Sequence, residues 1–467
     1  MGHTTRREFL RRAAGVLAGA GLAGPAAGRL AGQEEGERPR RDGGVTVLNP
    51  QGRVPLSLII DDSTCLVNLN RFAIPQFDDA WGKESRYGKY DWRKWPHEIP
   101  DAFVRKFGEW CAEHHIKGKY SVVPYPACVG RIDRVLPGWT QRELADSIKL
   151  VRELMLPGWD IHPEMVTHTR VIDTRTGHPY PEVSPRYMEN WSWTDGRSVD
   201  ELADYLSYAL KILKNVGLPC EGITTPGGFA GRVVPQLARA TLQSCRDVFG
   251  AEIPHYFKHA ISSGGASVAP RVEYASGLET DDPRCVVSVI ACTGDWTGGW
   301  DCSDRGHPDR FITPDLRKGR LVEVIERGEP AVLLCHWTGI YFNGEEVGFR
   351  VFREVVRRVH ERYDHLLWMK LSEIARYWAA KELTRIERQG DAVALHAPFA
   401  SPRFTLRAEA KGNAAPELAG PDGPAPLREV RRVRDLKPGT WLRDGEGVVV
   451  CFDLPKGRTR LRLRGGG

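Results

Sequence analysis

Val54-Pro-Leu-Ser-Leu-Ile-Ile-Asp-Asp-Ser-Thr-Cys65 decides how this chain is read. The run from Val54 to Ile60 is almost wholly apolar, as a strand buried on both faces of a parallel sheet requires, and it stops at two adjacent carboxylates. Asp61 and Asp62 therefore stand at the C-terminal end of a strand. In barrels and open α/β sheets the loops leaving that end converge on one face, which carries the chemistry. Asp also caps turns and helices. Two acids in succession argue for more than capping, because like charges in a cleft raise a pKa unless a cation offsets them, and either outcome serves catalysis.

Working outward, the same pattern recurs. Phe72 to Pro100, with Trp81, Tyr87, Tyr90, Trp92 and Trp95, reads as a long irregular loop and hence as an active-site wall. Phe103, Phe107, Trp110 and Cys111 have helical spacing, and Lys119 to Val123 is a short apolar strand. Thr140 with Glu143 is a capping-box signature that opens the next helix. Trp159-Asp-Ile161 is a strand ending at His162. Val199 to Val216 is an amphipathic helix stopped by Gly217, and Glu221 to Thr224 is a strand that breaks into Thr225-Pro-Gly-Gly228. A helix from Arg232 to Phe249 follows, then a strand from Cys285 to Ala291 that leads to Asp295-Trp296. After a helix over Arg317 to Arg327, Pro330 to Cys335 is another strand, ending at His336-Trp337; Phe349 to Tyr363, His365 to Trp368 and Leu371 to Ala380 complete the series. Strands alternating with helices call for a parallel sheet with helices outside it, and about seven strands over residues 51–380 favour an α/β barrel.

Beyond Lys381 the pattern changes. Thr384-Arg-Ile-Glu-Arg, Ala392 to Ala397, Phe404 to Ala408, Gly447 to Phe452 and Thr459 to Leu463 are short alternating strands without helices between them. Residues 381–467 therefore read as a small antiparallel β-sandwich, separate from the barrel. At the other end, Thr5-Arg6-Arg7-Glu8-Phe9-Leu10, followed by an Ala/Gly/Leu run, resembles a twin-arginine export signal over residues 1–32. Residues 33–50 then read as a linker. The expected location is periplasmic or extracellular, with no stable membrane insertion once the signal is removed.

Composition narrows the partners. A formal charge of +6 spread over 467 residues leaves no nucleic-acid footprint. The 14 Trp, several in polar Gly-rich contexts, fit stacking against sugar rings. The 10 Cys lie mostly in apolar stretches with no Cys-x-x-Cys pattern, so buried free thiols are expected, with room for one or two disulfides in an exported chain.

With the strand ends collected, the order of residues resembles the polysaccharide deacetylase family over roughly residues 52–380. That family's barrel is related to those of certain glycoside hydrolases, and the resemblance implies a distorted (β/α)7 barrel. Its opening acid pair matches Asp61-Asp62, which would make Asp61 the general base and Asp62 a metal ligand. Its two-histidine metal motif is matched by His162-Pro-Glu-Met-Val-Thr-His168, its Arg-x-Pro turn by Thr224-Thr-Pro-Gly-Gly, its Asp-Trp motif by Asp295-Trp296, and its final Leu-x-His by Leu334-Cys-His336. The resemblance thus implies a divalent metal ion, zinc or another first-row ion, on Asp62, His162 and His168, with His336 as general acid. Asp295, Trp296, Arg232 and Trp337 would contact or position substrate.

The chain departs from the family in two places. The family's histidines stand four apart, whereas His162 and His168 are six apart; Glu164 and His168 are the pair with the expected spacing. The family's Arg is Thr224 here, and Arg232 stands nearby as the substitute. The expected function is removal of N- or O-acetyl groups from a carbohydrate. A glycosidase using paired carboxylates such as Asp62 and Asp295, and a non-catalytic carbohydrate-binding barrel, are the alternatives.

Overall fold

The computed structural model describes residues 36–410, 415–420, 423–445 and 447–463; the twin-arginine stretch lies outside them. Val54–Asp61 is a strand buried at every position, as its unbroken apolar run demands. It takes Gly118–Ser121 as a parallel partner on one side and Ala331–His336 on the other. Trp159–His162 pairs beyond Gly118–Ser121, and Leu366–Trp368 joins the N-terminal end of the central strand. The register sets Asp61 beside His336 and Ser121 beside His162, so the strand ends lie level. Alternation then divides the side chains: Leu58, Ile60, Tyr120 and Ile161 join the core under the helices, while Ile59 packs with Phe257, Val287 and Val332 on the opposite face.

A second sheet holds Gly222–Thr224, His255–Ala260 and Arg284–Ala291 in parallel, with Arg271–Ser276 antiparallel at its edge. The two sheets meet at both margins, through a bridge between Glu164 and Thr224 and through the Cys292 N–H donating to the Val332 carbonyl at 2.7 Å. Among the described residues the ladder does not close into one continuous sheet. The architecture is therefore a mixed α/β assembly of parallel sheets, coarser than the (β/α)7 barrel expected from the sequence. The gap has a local cause. Gly222–Thr224 is only three residues long, and Pro163 and Pro226 on the two sides of the seam have no N–H to extend a ladder.

The helices cover the outer face. Gln141–Leu150 and Val199–Asn215 open on reciprocal capping boxes, Thr140 with Glu143 and Ser198 with Glu201, each satisfying two otherwise orphaned N–H groups. Phe107, Tyr120, Trp159 and Trp337 fill the space beneath them without solvent contact. The segment read as an irregular wall begins with a helix, Leu69–Trp81. Its interior Pro75 hides the helical signal, yet Leu69, Asn70, Ala73, Ile74, Phe77 and Ala80 form one buried face. That burial offsets the roughly 3 kcal/mol an interior proline costs. From Gly82 to Pro100 the chain is irregular, as expected, with two short 3-10 turns.

The C-terminal strands form two five-stranded sheets, largely antiparallel. Val45–Val47 pairs antiparallel with Ser401–Glu409 and buries Val45 and Val47, so these residues belong to that sheet rather than to connecting chain. Helix Leu371–Leu383 lies between the β-sheets and the parallel strands. One apolar cluster runs from Ile59, Val287 and Val332 through Ile374, Trp378 and Leu383 to Phe404, Leu406 and Val450. All ten cysteines are unpaired, eight of them buried. No helix among the described residues is long and apolar enough to cross a membrane.

Candidate functional site

The site is assembled where Val54–Asp61, Trp159–His162 and Ala331–His336 end side by side. Asp61, the last residue of its strand, is buried against Lys119 from the neighbouring strand. The Lys119 ammonium has no solvent exposure, and its three N–H groups end on Asp61 Oδ1, on Ser121 Oγ at 2.7 Å and on the Ile60 carbonyl at 3.0 Å. Burial, with the charge of Glu164 behind it, pushes the Asp61 pKa up to about 7, while Lys119 and His336 pull it back. Contact with an ammonium and burial thus leave a carboxylate poised near neutrality, the range a general base needs.

One residue on, the backbone turns left-handed. Asp62 has φ 61°, and in the loop facing it Met165 and His168 have φ 52° and 64°. Such conformations cost non-glycine residues of order 1–3 kcal/mol and persist only where surrounding contacts impose them. Here the Asp62 N–H donates to Glu164 Oε2 at 2.7 Å. Buried Glu189 gathers the facing loop, accepting from the N–H groups of Val166, Thr167 and His168, the last at 2.6 Å, and from the Tyr205 hydroxyl at 2.5 Å.

These turns bring Asp62, Glu164 and His168 together, with one ligand atom from each lying within 4.8 Å of the others. His168 Nε2 is 2.7 Å from Asp62 Oδ1 and 3.4 Å from Glu164 Oε1. The short approach to Asp62 lacks hydrogen-bond geometry, so both carboxylate oxygens of Asp62 are buried without a donor. Burial opposes charge on His168, yet Asp62 and Glu164 hold its pKa well above the ordinary value. Burial likewise opposes charge on Glu164, which His168, Lys119 and the Asp62 N–H nonetheless hold down at about 2. Two buried carboxylates need a cation, and an imidazolium or a metal ion can supply it. Orphaned carboxylate oxygens beside a histidine are a donor set that fits a divalent first-row ion.

His162 does not join this group. As the last residue of its strand it points into the interior, where its Nε2 faces His255 Nε2 at 3.0 Å and its Nδ1 faces Thr224 Oγ1 at 3.3 Å. Its place beside Asp62 is taken by Glu164, the residue with the expected four-residue spacing to His168. Burial, His255 and Lys119 together push His162 well below its ordinary pKa, so it is neutral.

On the other side of Asp61, His336 Nδ1 lies 2.8 Å from Asp295 Oδ2. Burial would lower the His336 pKa, but the charges of Asp62, Asp295 and Asp61 raise it to about 10. These charges favour the protonated ring, which suits His336 to donate a proton. Trp296 packs edge-on against Phe311 and under Arg310. Two residues singled out in the sequence lie elsewhere. Arg232 is 82% exposed and pairs with Asp195, and Trp337 is fully buried against Phe103 and Phe107, because the chain turns into a helix directly after His336.

The residues that sequence reasoning missed are Lys119, Glu189 and His255. Lys119 carried a signal, a charge within a strand too apolar to be exposed. Glu189 and His255 carried none, since each acts on a partner far away in the chain. The irregular aromatic segment is attached to the site: Thr338 Oγ1, two residues past His336, donates to the Trp300 carbonyl at 2.7 Å. Trp300 in turn packs with Phe77 and Tyr87.

No protein-family profile and no characterised relative matches the sequence. Among solved structures, the Puue allantoinase aligns over 74% of this chain and 95% of its own, at 11% identity and a TM-score of 0.35. The 4-alpha-glucanotransferase from Thermococcus litoralis aligns over 69% of this chain and 40% of its own, at 14% identity and a TM-score of 0.34. The alpha-fucosidase from Thermotoga maritima aligns over 87% and 94%, at 11% identity and a TM-score of 0.29. These likenesses are too distant to bear on the reaction.

Proposed function

We infer that this chain is a metal-dependent hydrolase that removes N- or O-acetyl groups from a carbohydrate. The observation that carries the reading is the level alignment of three elements at one set of strand ends: Asp61 on Lys119, the orphaned Asp62 carboxylate facing Glu164 and His168, and the His336–Asp295 pair. A divalent ion on Asp62, Glu164 and His168 would polarise the acyl carbonyl and make water acidic enough to react near neutral pH. Asp61 takes the proton of the attacking water. Lys119 occupies its Oδ1, so Oδ2 is the accepting atom, and the same ammonium fixes the carboxylate's orientation. In the resemblance that motivates this reading an Arg orients the base; here Lys119 reaches it from the neighbouring strand.

His336 delivers a proton to the departing sugar oxygen or nitrogen. Its Nδ1 is engaged by Asp295, so the proton comes from Nε2, and Asp295 keeps the ring charged and aligned. The partly buried rings of Trp191, Trp300, Tyr90 and Trp95, packed on the apolar cluster around the helix Leu69–Trp81 and tied to the chain past His336 through the Trp300 carbonyl, support a carbohydrate as the substrate. The glycosidase alternative has no comparable support, because Asp295 is bonded to His336 and Asp62 faces His168 rather than an open gap. Export by the twin-arginine route belongs to this proposal, and replacing Arg6 and Arg7 by Lys should retain the protein in the cytoplasm.

The test is metal content of the folded protein together with acetate release from acetylated xylan and chitin oligomers, before and after chelation. Activity lost with the metal and restored by its return supports the reading. A metal-bearing protein that binds these oligomers without releasing acetate would favour a carbohydrate-binding module instead.

A further inference from the structure

We propose that Asp160, His162 and His255 form a second metal site, buried between the two parallel sheets, which holds a divalent first-row ion and ties the seam that the strand ladder leaves open. The site is independent of the hydrolase reading and shares no ligand with it. Asp160 and His162 are two apart on one strand and so face the same side. His255 begins the strand that pairs with Gly222–Thr224, in a register that sets Gly222 beside His255. One ligand atom from each of the three lies within 4.8 Å of the others. The two Nε2 atoms are 3.0 Å apart, and Asp160 Oδ2 is 3.9 Å from His255 Nε2. Ligand atoms around a tetrahedral ion with Zn–N bonds of 2.0–2.1 Å stand about 3.4 Å from one another, a value these two separations bracket.

The surroundings hold the ligands in place. His162 Nδ1 is turned toward Thr224 Oγ1, which directs Nε2 at His255. Asp160 is anchored by Ser372, whose N–H and hydroxyl donate to its two oxygens at 2.6 and 2.7 Å. Both histidines are completely buried.

Gly222 supplies the second observation. A Cβ there would lie 2.7 Å from His162 Nε2 and 2.8 Å from His255 Nε2, with the His255 carbonyl at 2.5 Å. Its φ is not positive, so glycine is required by the closeness of the His255 carbonyl and the two rings rather than by the backbone angle. The missing Cβ is what lets both rings and the His255 carbonyl close to these distances, so that the two nitrogens converge beside Gly222. Two imidazoles and a carboxylate favour zinc or a neighbouring first-row ion over magnesium or calcium. Such an ion would join Trp159–His162 of one sheet to His255–Ala260 of the other across Gly222–Thr224, at the margin where proline stops the backbone ladder. The competing arrangement is a metal-free pair in which one Nε2–H donates to the other ring.

Full-length protein, stripped by chelation and dialysed, is titrated with Co²⁺, with binding read from visible absorption and elemental analysis. Two ions per chain are expected for the parent, and one each for His255→Gln and Asp62→Asn. The proposal is overturned if His255→Gln binds as many ions as the parent, or if the parent binds a single ion that Asp62→Asn abolishes. A single ion that survives Asp62→Asn and is lost in His255→Gln would support this site and remove the metal from the hydrolase reading. Should His255→Gln fail to fold, X-ray absorption on the loaded parent decides. More than one imidazole per ion supports the proposal, and one or fewer overturns it.

Discussion

His162 and His168 leave the same strand end six residues apart and finish in opposite settings. His162 is the last residue of its strand; alternation turns it inward, against another imidazole, and it is neutral. His168 lies past Pro163, in a left-handed turn gathered by Glu189, where Asp62 and Glu164 surround it with negative charge. The resemblance to the family's two-histidine motif placed both in one metal site. The difference shows that a strand end is a boundary between two electrostatic layers, an inner one fixed by β-alternation and an outer one fixed by the turn. Lys119 belongs to the inner layer and reaches the outer one through Asp61.

That link gives the largest expected effect. Lys119→Met removes the cation ion-paired with buried Asp61 and leaves its charge to His336 alone, and losing one partner of a buried pair costs about 3–5 kcal/mol. The urea midpoint should fall accordingly, and adding Asp61→Asn should recover part of the loss, because the stranded charge is then gone. A single variant as stable as the parent would mean that the inner and outer layers are not coupled through this pair.

Next come the proton-transfer groups of the outer layer. Asp61→Asn and His336→Ala should each lower turnover on an acetylated oligomer by roughly 10²-fold or more, with metal content retained. Near-parental turnover in either variant would take that residue out of the mechanism. Asp295→Asn should act only through His336, shifting the pH profile of turnover while leaving substrate affinity nearly unchanged. An equal loss in affinity would instead place Asp295 against the substrate.

Glu189 tests how the outer layer is held. Glu189→Gln keeps the shape but replaces an acceptor-only carboxylate with an amide that presents N–H to the backbone donors of the His168 loop. Metal affinity at the strand-end site should fall by about 10–100-fold, the usual consequence of losing a partner that orients a ligand. Unchanged affinity in competition with a chelator would show that the left-handed turn holds His168 unaided.

What the sequence made legible follows the same boundary. The strands ending in Asp61, His162 and His336 could be found because each is an apolar run stopped by a polar residue, and the helices opened by Thr140 could be found because capping is local. The helix Leu69–Trp81 was hidden by Pro75, whose cost is met by a buried face that only tertiary packing reveals. The strands His255–Ala260 and Arg271–Ser276 were hidden for a related reason: their polar residues pair across the fold, Glu273 for instance accepting from Ser288 at 2.5 Å. Lys119, Glu189 and His255 act on partners 58, 21 and 93 residues away, so neither spacing nor periodicity could assign them.

Arg232 is the smallest expected effect and the sharpest check on where the orienting cation lies. It was singled out because the position matching the family's Arg is Thr224 and Arg232 is the next arginine along. In the fold its guanidinium points into solvent and pairs with Asp195 at 2.8 Å, both belonging to loops outside the strand-end cluster. An exposed pair of this kind contributes little, and substitutions at such positions rarely disturb a distant site. Arg232→Ala should therefore change turnover by no more than about twofold, without moving metal affinity. A tenfold loss would place Arg232 at the substrate in the working enzyme, and the orienting role given to Lys119 would then have to be shared between a buried cation fixed by the inner layer and an exposed one brought in from the loops.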